Sequence, residues 1–197
     1  MATAVQSFKD TIGTKLYDLP DSSPFSTRDI LKELKYSCEA RGIIFGLHYS
    51  IMDWNQSSQN ANYSTYYSDI ASTFAGTVLI NDMKAQLNEL ITIYHPAVMW
   101  FDGDWTYNSG SLRLKSWWTM SDGIDMYNYL IGLDSNLVMN ERVCRSFGLG
   151  DFDCPEQQVP TAPLSRQREM CQTMNTSWEY TASDTGSKSS KAIIQEW

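Results

Sequence analysis

The chain has 197 residues, 42% of them hydrophobic and 19% charged, a balance that supports a buried core and excludes an intrinsically disordered chain. Its net charge of −8, an isoelectric point near 4.7 and the lack of a basic patch exclude a nucleic-acid partner. Aromatic residues make up 13%, including seven Trp and eleven Tyr, an excess suited to a cleft that accepts sugar rings.

Residues 1–25 read as irregular, with Pro20, Pro24 and Ser/Asp clusters. They show no basic segment followed by a long apolar one, so no signal peptide is expected here. A helix is expected from Ser26, with Asp29 three residues on as in a capping box. Ile30, Leu31, Leu34 and Cys38 line one face of it, and Gly42 ends it. Ile43 to Ser50 reads as a buried strand with a polar carboxyl end formed by His48, Tyr49 and Ser50. Of these, His48 reads as a core histidine rather than a base. Residues 55–77 are a polar loop rich in Asn, Ser and Tyr.

A second helix is expected from Val78 to Tyr94, with Ile80, Met83, Leu87, Leu90, Ile91 and Tyr94 on one face. His95-Pro96 stops it. Ala97 to Phe101 is then a short apolar run ending on Asp102, Gly103, Asp104 and Trp105. A carboxylate on a buried parallel strand belongs at the carboxyl end, facing a cleft. Trp100 and Trp105 flank it with flat apolar surface. Further on, Leu112–Trp118 packs, a helix spans about 122–132, and Leu137 to Asn140 is a third strand ending in Asn140, Glu141 and Arg142. Residues 144–165 read as loop, a short strand surrounds 176–180, and a last helix runs from about Ser187 to Trp197.

The cysteines, Cys38, Cys144, Cys154 and Cys171, lack the spacing of a zinc site, and the only histidines are His48 and His95. No metal and no cofactor are therefore expected. Cys144 and Cys154 flank one loop and would bridge in an oxidising compartment. Asn55, Asn62 and Asn175 open glycosylation triplets, a weak pointer to secretion. No run is long and apolar enough to cross a membrane.

Strands alternating with helices imply an α/β fold with parallel strands and right-handed crossovers. Polar groups at successive strand carboxyl ends are how (β/α) barrels build active sites. The expected fold is thus a partial (β/α)8 TIM-like barrel in one domain.

Five ordered motifs carry a family resemblance: Phe45-Gly46-Leu47-His48-Tyr49-Ser50 with Asp53-Trp54; Tyr94-His95-Pro96 with Trp100-Phe101-Asp102-Gly103-Asp104-Trp105; Asn140-Glu141-Arg142; Asp151-Phe152-Asp153-Cys154-Pro155-Glu156; and Met174-Asn175-Thr176-Ser177-Trp178. In this order they resemble the α-L-fucosidases of glycoside hydrolase family 29. The resemblance implies a retaining hydrolase that releases terminal α-L-fucose from a fucosylated oligosaccharide or glycoprotein through a covalent glycosyl intermediate. It puts the nucleophile on Asp102 and the general acid/base on Glu156, with Glu169 as the alternative acid/base. It makes Tyr49, Trp100, Arg142 and Trp178 substrate-binding residues. Retention calls for two carboxyl groups about 5–5.5 Å apart. It also implies a secreted or lysosome-like location.

Two positions depart from the family pattern: Glu141 stands where Asp is usual, and Glu179 where Gly is. The family's upstream strands, with a His-His-Asp-Gly segment, and its closing strands have no counterpart here. By that comparison residues 1–197 are the middle portion of the catalytic barrel, and the alternative to an enzyme is an inactive fragment or a non-catalytic carbohydrate-binding descendant.

Overall fold

A computed structural model describes residues 28–51, 74–104, 118–145, 148–158 and 165–195. The chain divides into two compact units, 1–150 and 151–197, where length alone pointed to one domain. The polar loop at 55–77, Asp53-Trp54, Trp105 and the Leu112–Trp117 segment fall wholly or mostly outside the described residues.

The first unit alternates helix and strand: α1 (Ile30–Glu39), β1 (Gly46–Ser50), α2 (Phe74–Tyr94), β2 (Val98–Asp102), α3 (Met120–Leu133) and β3 (Val138–Met139), followed by a 3-10 turn (Glu141–Val143). The strands form one parallel sheet in the order β1-β2-β3, with Gly46 opposite Val98 and Val98 opposite Val138. The α/β class and the parallel pairing thus agree with the sequence pattern.

Each helix boundary has a local cause. Asp29 caps α1, its carboxylate accepting the Lys32 backbone N–H at 2.9 Å. The cap is therefore Asp29 itself rather than Ser26. The phenol of Tyr94 donates to the same carboxylate at 3.2 Å, tying the start of α1 to the end of α2. His95 closes α2 in the left-handed region at φ 45°, and Pro96 bars continuation. Thr119 and Asp122 cap α3 reciprocally.

The strand expected from Ile43 begins at Gly46 instead, and Ile43 and Ile44 are exposed. Register explains this. Extended backwards from Gly46 and Val98, it sets Ile44 against Pro96 and Ile43 against His95. Proline has no N–H to give a neighbouring strand, and His95 ends a helix.

One core fills the space between sheet and helices. The sheet contributes Leu47, Tyr49, Met99, Phe101 and Met139; the helices contribute Leu31, Leu87, Ile91, Met126 and Leu130. Ile80, Met83, Leu87, Leu90, Ile91 and Tyr94 of α2 join or pack on that cluster, as their spacing predicts. Leu34 on α1 lies outside it and is exposed. Where α3 meets the 3-10 turn there is no room for a side chain. A Cβ on Gly123 would lie 2.2 Å from the Cβ of Cys144. Trp118 fixes the same junction, its indole N–H donating to the Val143 carbonyl at 2.8 Å.

β3 stops after two residues because Asn140 continues the pairing with its side chain. Its amide oxygen accepts the Phe101 N–H at 2.8 Å and its amide N–H donates to the Phe101 carbonyl at 2.9 Å. Asn140 is fully buried, so both Phe101 groups depend on it. Asn140→Ala strands two buried backbone groups and is expected to lower unfolding stability by about 2 kcal/mol or more, read from urea unfolding. An unchanged midpoint would mean that water or a neighbour replaces the amide.

In the second unit, residues 153–157 and 167–171 run side by side in parallel, bridged at Asp153–Arg168 and Glu156–Cys171. The short strand expected at 176–180 is absent; that stretch is bends, turned by Asp184 accepting the Thr176 N–H and hydroxyl. A short helix α4 (Ser190–Gln195) follows, beginning later than Ser187.

Candidate active site

Successive strand residues face opposite sides of the sheet, and this parity sorts the candidates. Leu47, Tyr49, Met99 and Phe101 point into the helix-covered core. His48, Ser50, Trp100 and Asp102 take the opposite, half-buried face.

Asp102 ends β2. Gly103 follows at φ 80°, a turn that a side chain at this position would strain. The Asp102 carbonyl accepts the Ile51 N–H at 2.7 Å, anchoring its backbone to the end of β1. Its Oδ1 accepts from Nη1 of Arg142 at 2.9 Å. Arg142 is 2% exposed, and its guanidinium lies 4.7 Å from the centre of the Trp100 ring. That stacking holds the planar cation in place and strengthens with burial. From the other side of β2, the His48 ring stacks on Trp100 with centroids 5.3 Å apart. Trp100 is thus the shared support for His48 and Arg142.

Burial lowers the His48 pKa below its ordinary 6.5, an effect that the charge of Asp102 opposes. The ring is therefore held towards its neutral form.

Asp104 makes a second pair behind Asp102. It accepts from the Arg145 backbone N–H at 2.8 Å and its Nε at 3.2 Å. Burial raises its pKa, opposed by the charge and hydrogen bonds of Arg145. Cys144, beside it, has its thiol pushed up to about 11 by burial and by the charges of Asp104 and Asp122, which makes it inert packing. All four cysteines are free thiols, so Cys144 and Cys154 do not bridge here.

Of the sequence candidates in this unit, Asp102, Trp100 and Arg142 come together. Tyr49 does not: it is 5% exposed in the core, its phenol donating to Gln86 at 2.6 Å and its ring edge on Phe101. The parity of β1 gives the position on the Asp102 face to His48, which the sequence reading left in the core. Alternation along the strand was the signal that could have found it.

The remaining candidates belong to the second unit. The bridge between Glu156 and Cys171 sets Cys154 opposite Glu169 and puts all four side chains on one face of the ladder. Glu169 accepts from the thiols of Cys154 and Cys171 at 3.7 and 3.6 Å. Arg166 and Arg168, natural ion-pair partners for Glu169 by sequence, turn to Asp153 instead. Trp178 is 62% exposed and lines a cavity of about 320 Å³ with Thr173, Asn175 and Tyr180. Among the described residues no cluster of His, Cys, Asp and Glu suits a metal ion.

The model of the α-L-fucosidase family matches residues 8–197. The chain belongs to the α-L-fucosidase family. It is 25% identical to the tissue α-L-fucosidase of Mus musculus over 86% of the chain and 36% of that protein. It is 29% identical to the plasma α-L-fucosidase of Rattus norvegicus over 78% of the chain and 32% of that protein. The chain thus spans about a third of the length of the curated α-L-fucosidases it matches. In fold it is similar to the α-L-fucosidase AlfC from Lactobacillus casei, solved in complex with α-L-fucose product. The TM-score is 0.63 at 24% identity, over 92% of this chain and 57% of that one. No described helix is long and apolar enough to cross a membrane.

The lowered His48 pKa has a definite sign. The unfolded chain binds a proton near 6.5 and the folded chain only at lower pH, so the stability that neutral His48 contributes is present above 6.5 and lost as pH falls through the folded value. Melting temperature followed from pH 7.5 down to 5 is expected to fall in the wild type, with His48→Phe removing part of the slope. Identical slopes would place the acid sensitivity elsewhere.

Proposed function

We propose that this chain forms the middle portion of a (β/α)8 catalytic barrel and carries the chemistry of a retaining α-L-fucosidase. The observation that carries the reading is a carboxylate, Asp102, at the carboxyl end of a parallel strand, held by the buried Arg142 on the Trp100 ring in a chain of this family. Active sites of barrels lie at that end of the strands.

Asp102 is the nucleophile. Its carboxylate attacks the anomeric carbon of the fucoside, the bond to the leaving oxygen breaks, and Glu156 gives that oxygen a proton. Water, deprotonated by Glu156, then cleaves the glycosyl ester and restores both groups. Glu169 is the alternative acid/base. Its carboxylate accepts from the thiols of Cys154 and Cys171. Arg142 holds the nucleophile, Trp100 holds Arg142, and Trp178 offers an exposed aromatic surface to the sugar. His48 borders the sugar in place of Tyr49. The substrate is a fucosylated oligosaccharide or glycoprotein, and the tissue and plasma relatives favour a secreted or lysosome-like location.

Turnover of aryl α-L-fucosides by the full chain tests the roles. Asp102→Ala is expected to abolish it, since nothing else can form the glycosyl ester. Glu156→Ala is expected to slow poor leaving groups by roughly 10²- to 10⁴-fold and activated ones far less, because only the former need a proton. Added azide then partly restores the second step. If that leaving-group signature appears in Glu169→Ala instead, the acid/base role moves to Glu169. An active chain indifferent to Asp102→Ala would refute the nucleophile. The cavity beside Trp178 supports a second reading, carbohydrate binding without turnover. Calorimetric fucose binding in a chain with no turnover would select it.

A further inference from the structure

Asp102 has two carboxylate oxygens in different situations. Oδ1 faces both guanidinium groups, Arg142 Nη1 at 2.9 Å and Arg145 Nη2 at 3.8 Å. Oδ2 has no partner among the described residues. An arginine side chain has several rotatable bonds, so something must aim each cation. For Arg142 it is the Trp100 ring. For Arg145 it is Asp104, a carboxylate 4% exposed, which accepts from its backbone N–H and its Nε and ion-pairs with its Nη2 at 3.1 Å. The acid two residues beyond the nucleophile is thus buried, and its grip brings a second cation back towards Asp102.

We propose that Asp104 and Arg145 are a positioning pair for Asp102: with Arg142 they hold Oδ1 and leave Oδ2 as the oxygen that attacks the sugar. The proposal rests on the nucleophile reading above. In the step it describes, an Oδ2 lone pair forms the bond to the anomeric carbon. The electron pair of the broken glycosidic bond leaves on the departing oxygen, which takes its proton from the general acid. Oδ1 becomes the carbonyl oxygen of the ester, still facing both guanidinium groups. When water cleaves the ester, those cations receive the returning carboxylate charge.

The test uses the full chain with 2-deoxy-2-fluoro-α-L-fucosyl fluoride, which traps the glycosyl ester. Intact mass and peptide mapping give the labelled residue and the labelling rate, and thermal melting checks folding. The wild type is expected to label on Asp102. Arg145→Gln and Asp104→Asn should label roughly 10- to 100-fold more slowly at temperatures well below their melting transitions, as expected for a misoriented nucleophile. Arg145→Lys, which keeps the charge, should recover part of the rate. A purely structural role would lower melting temperature without changing the rate in folded protein. Variants that label at the wild-type rate overturn the pair and leave the nucleophile standing. Labelling of the wild type at another residue overturns both. Crystals of Arg145→Gln give a reading independent of turnover. A rotated Asp102 carboxylate supports the pair, and an unmoved one overturns it even where labelling slows.

Discussion

The site depends on one side chain acting as backbone. Asn140 gives Phe101 the two hydrogen bonds that a longer β3 would have given it. Had the strand continued, residues 141–143 would lie flat along β2, alternating faces. The amide takes over the pairing, so the main chain is free to coil into the 3-10 turn. The coil lets Arg142 reach Asp102, one residue beyond the Phe101 that Asn140 grips. Strand end, turn and Asp102 are therefore one mechanical unit. The close approach of Gly123 to Cys144 and the Trp118–Val143 bond brace its outer side.

The two aspartates around Gly103 show how a single turn separates chemical roles. Asp102 is half-buried, with one oxygen engaged by cations. Asp104 is almost wholly buried and holds Arg145 at several points. Burial destabilises its charge, and Arg145 offsets part of that cost. Removing one member of such a pair is worse than removing both, because the survivor stays desolvated. The left-handed turn at Gly103 sends the two side chains to such different surroundings within three residues.

Most of the first unit was legible because its signals were long or redundant. The face of α2 repeats over several turns, and its end is marked twice, by His95 and Pro96. Asp102 stood out because a charge ends an apolar strand. What was misread depended on information outside the local stretch. The start of β1 is set by Pro96 just ahead of β2, not by the apolarity of Ile43 and Ile44. That His48, and not Tyr49, shares the sheet face of Asp102 is a matter of parity. A one-residue error moves a side chain to the other face, and the polar end of β1 offers adjacent residues that all look functional. Residues 176–180 resemble a strand in composition, but Asp184 draws Thr176 into a bend. Asp104 with Arg145 was invisible because neither residue is unusual until the 3-10 turn brings them together.

Parity also governs the second unit. The register that pairs Glu156 with Cys171 sets Cys154 against Glu169, so the two acids and the two thiols share one face. Sequence treats Glu156 and Glu169 as rivals thirteen positions apart, each with its own loop. The ladder makes them diagonal neighbours in one small sheet, and their difference lies in what touches them. Thiols are weak donors. Among the described residues the thiols of Cys154 and Cys171 donate to Glu169, while Arg166 and Arg168 turn to Asp153. Those arginines sit on the opposite side with Asp153, again by alternation.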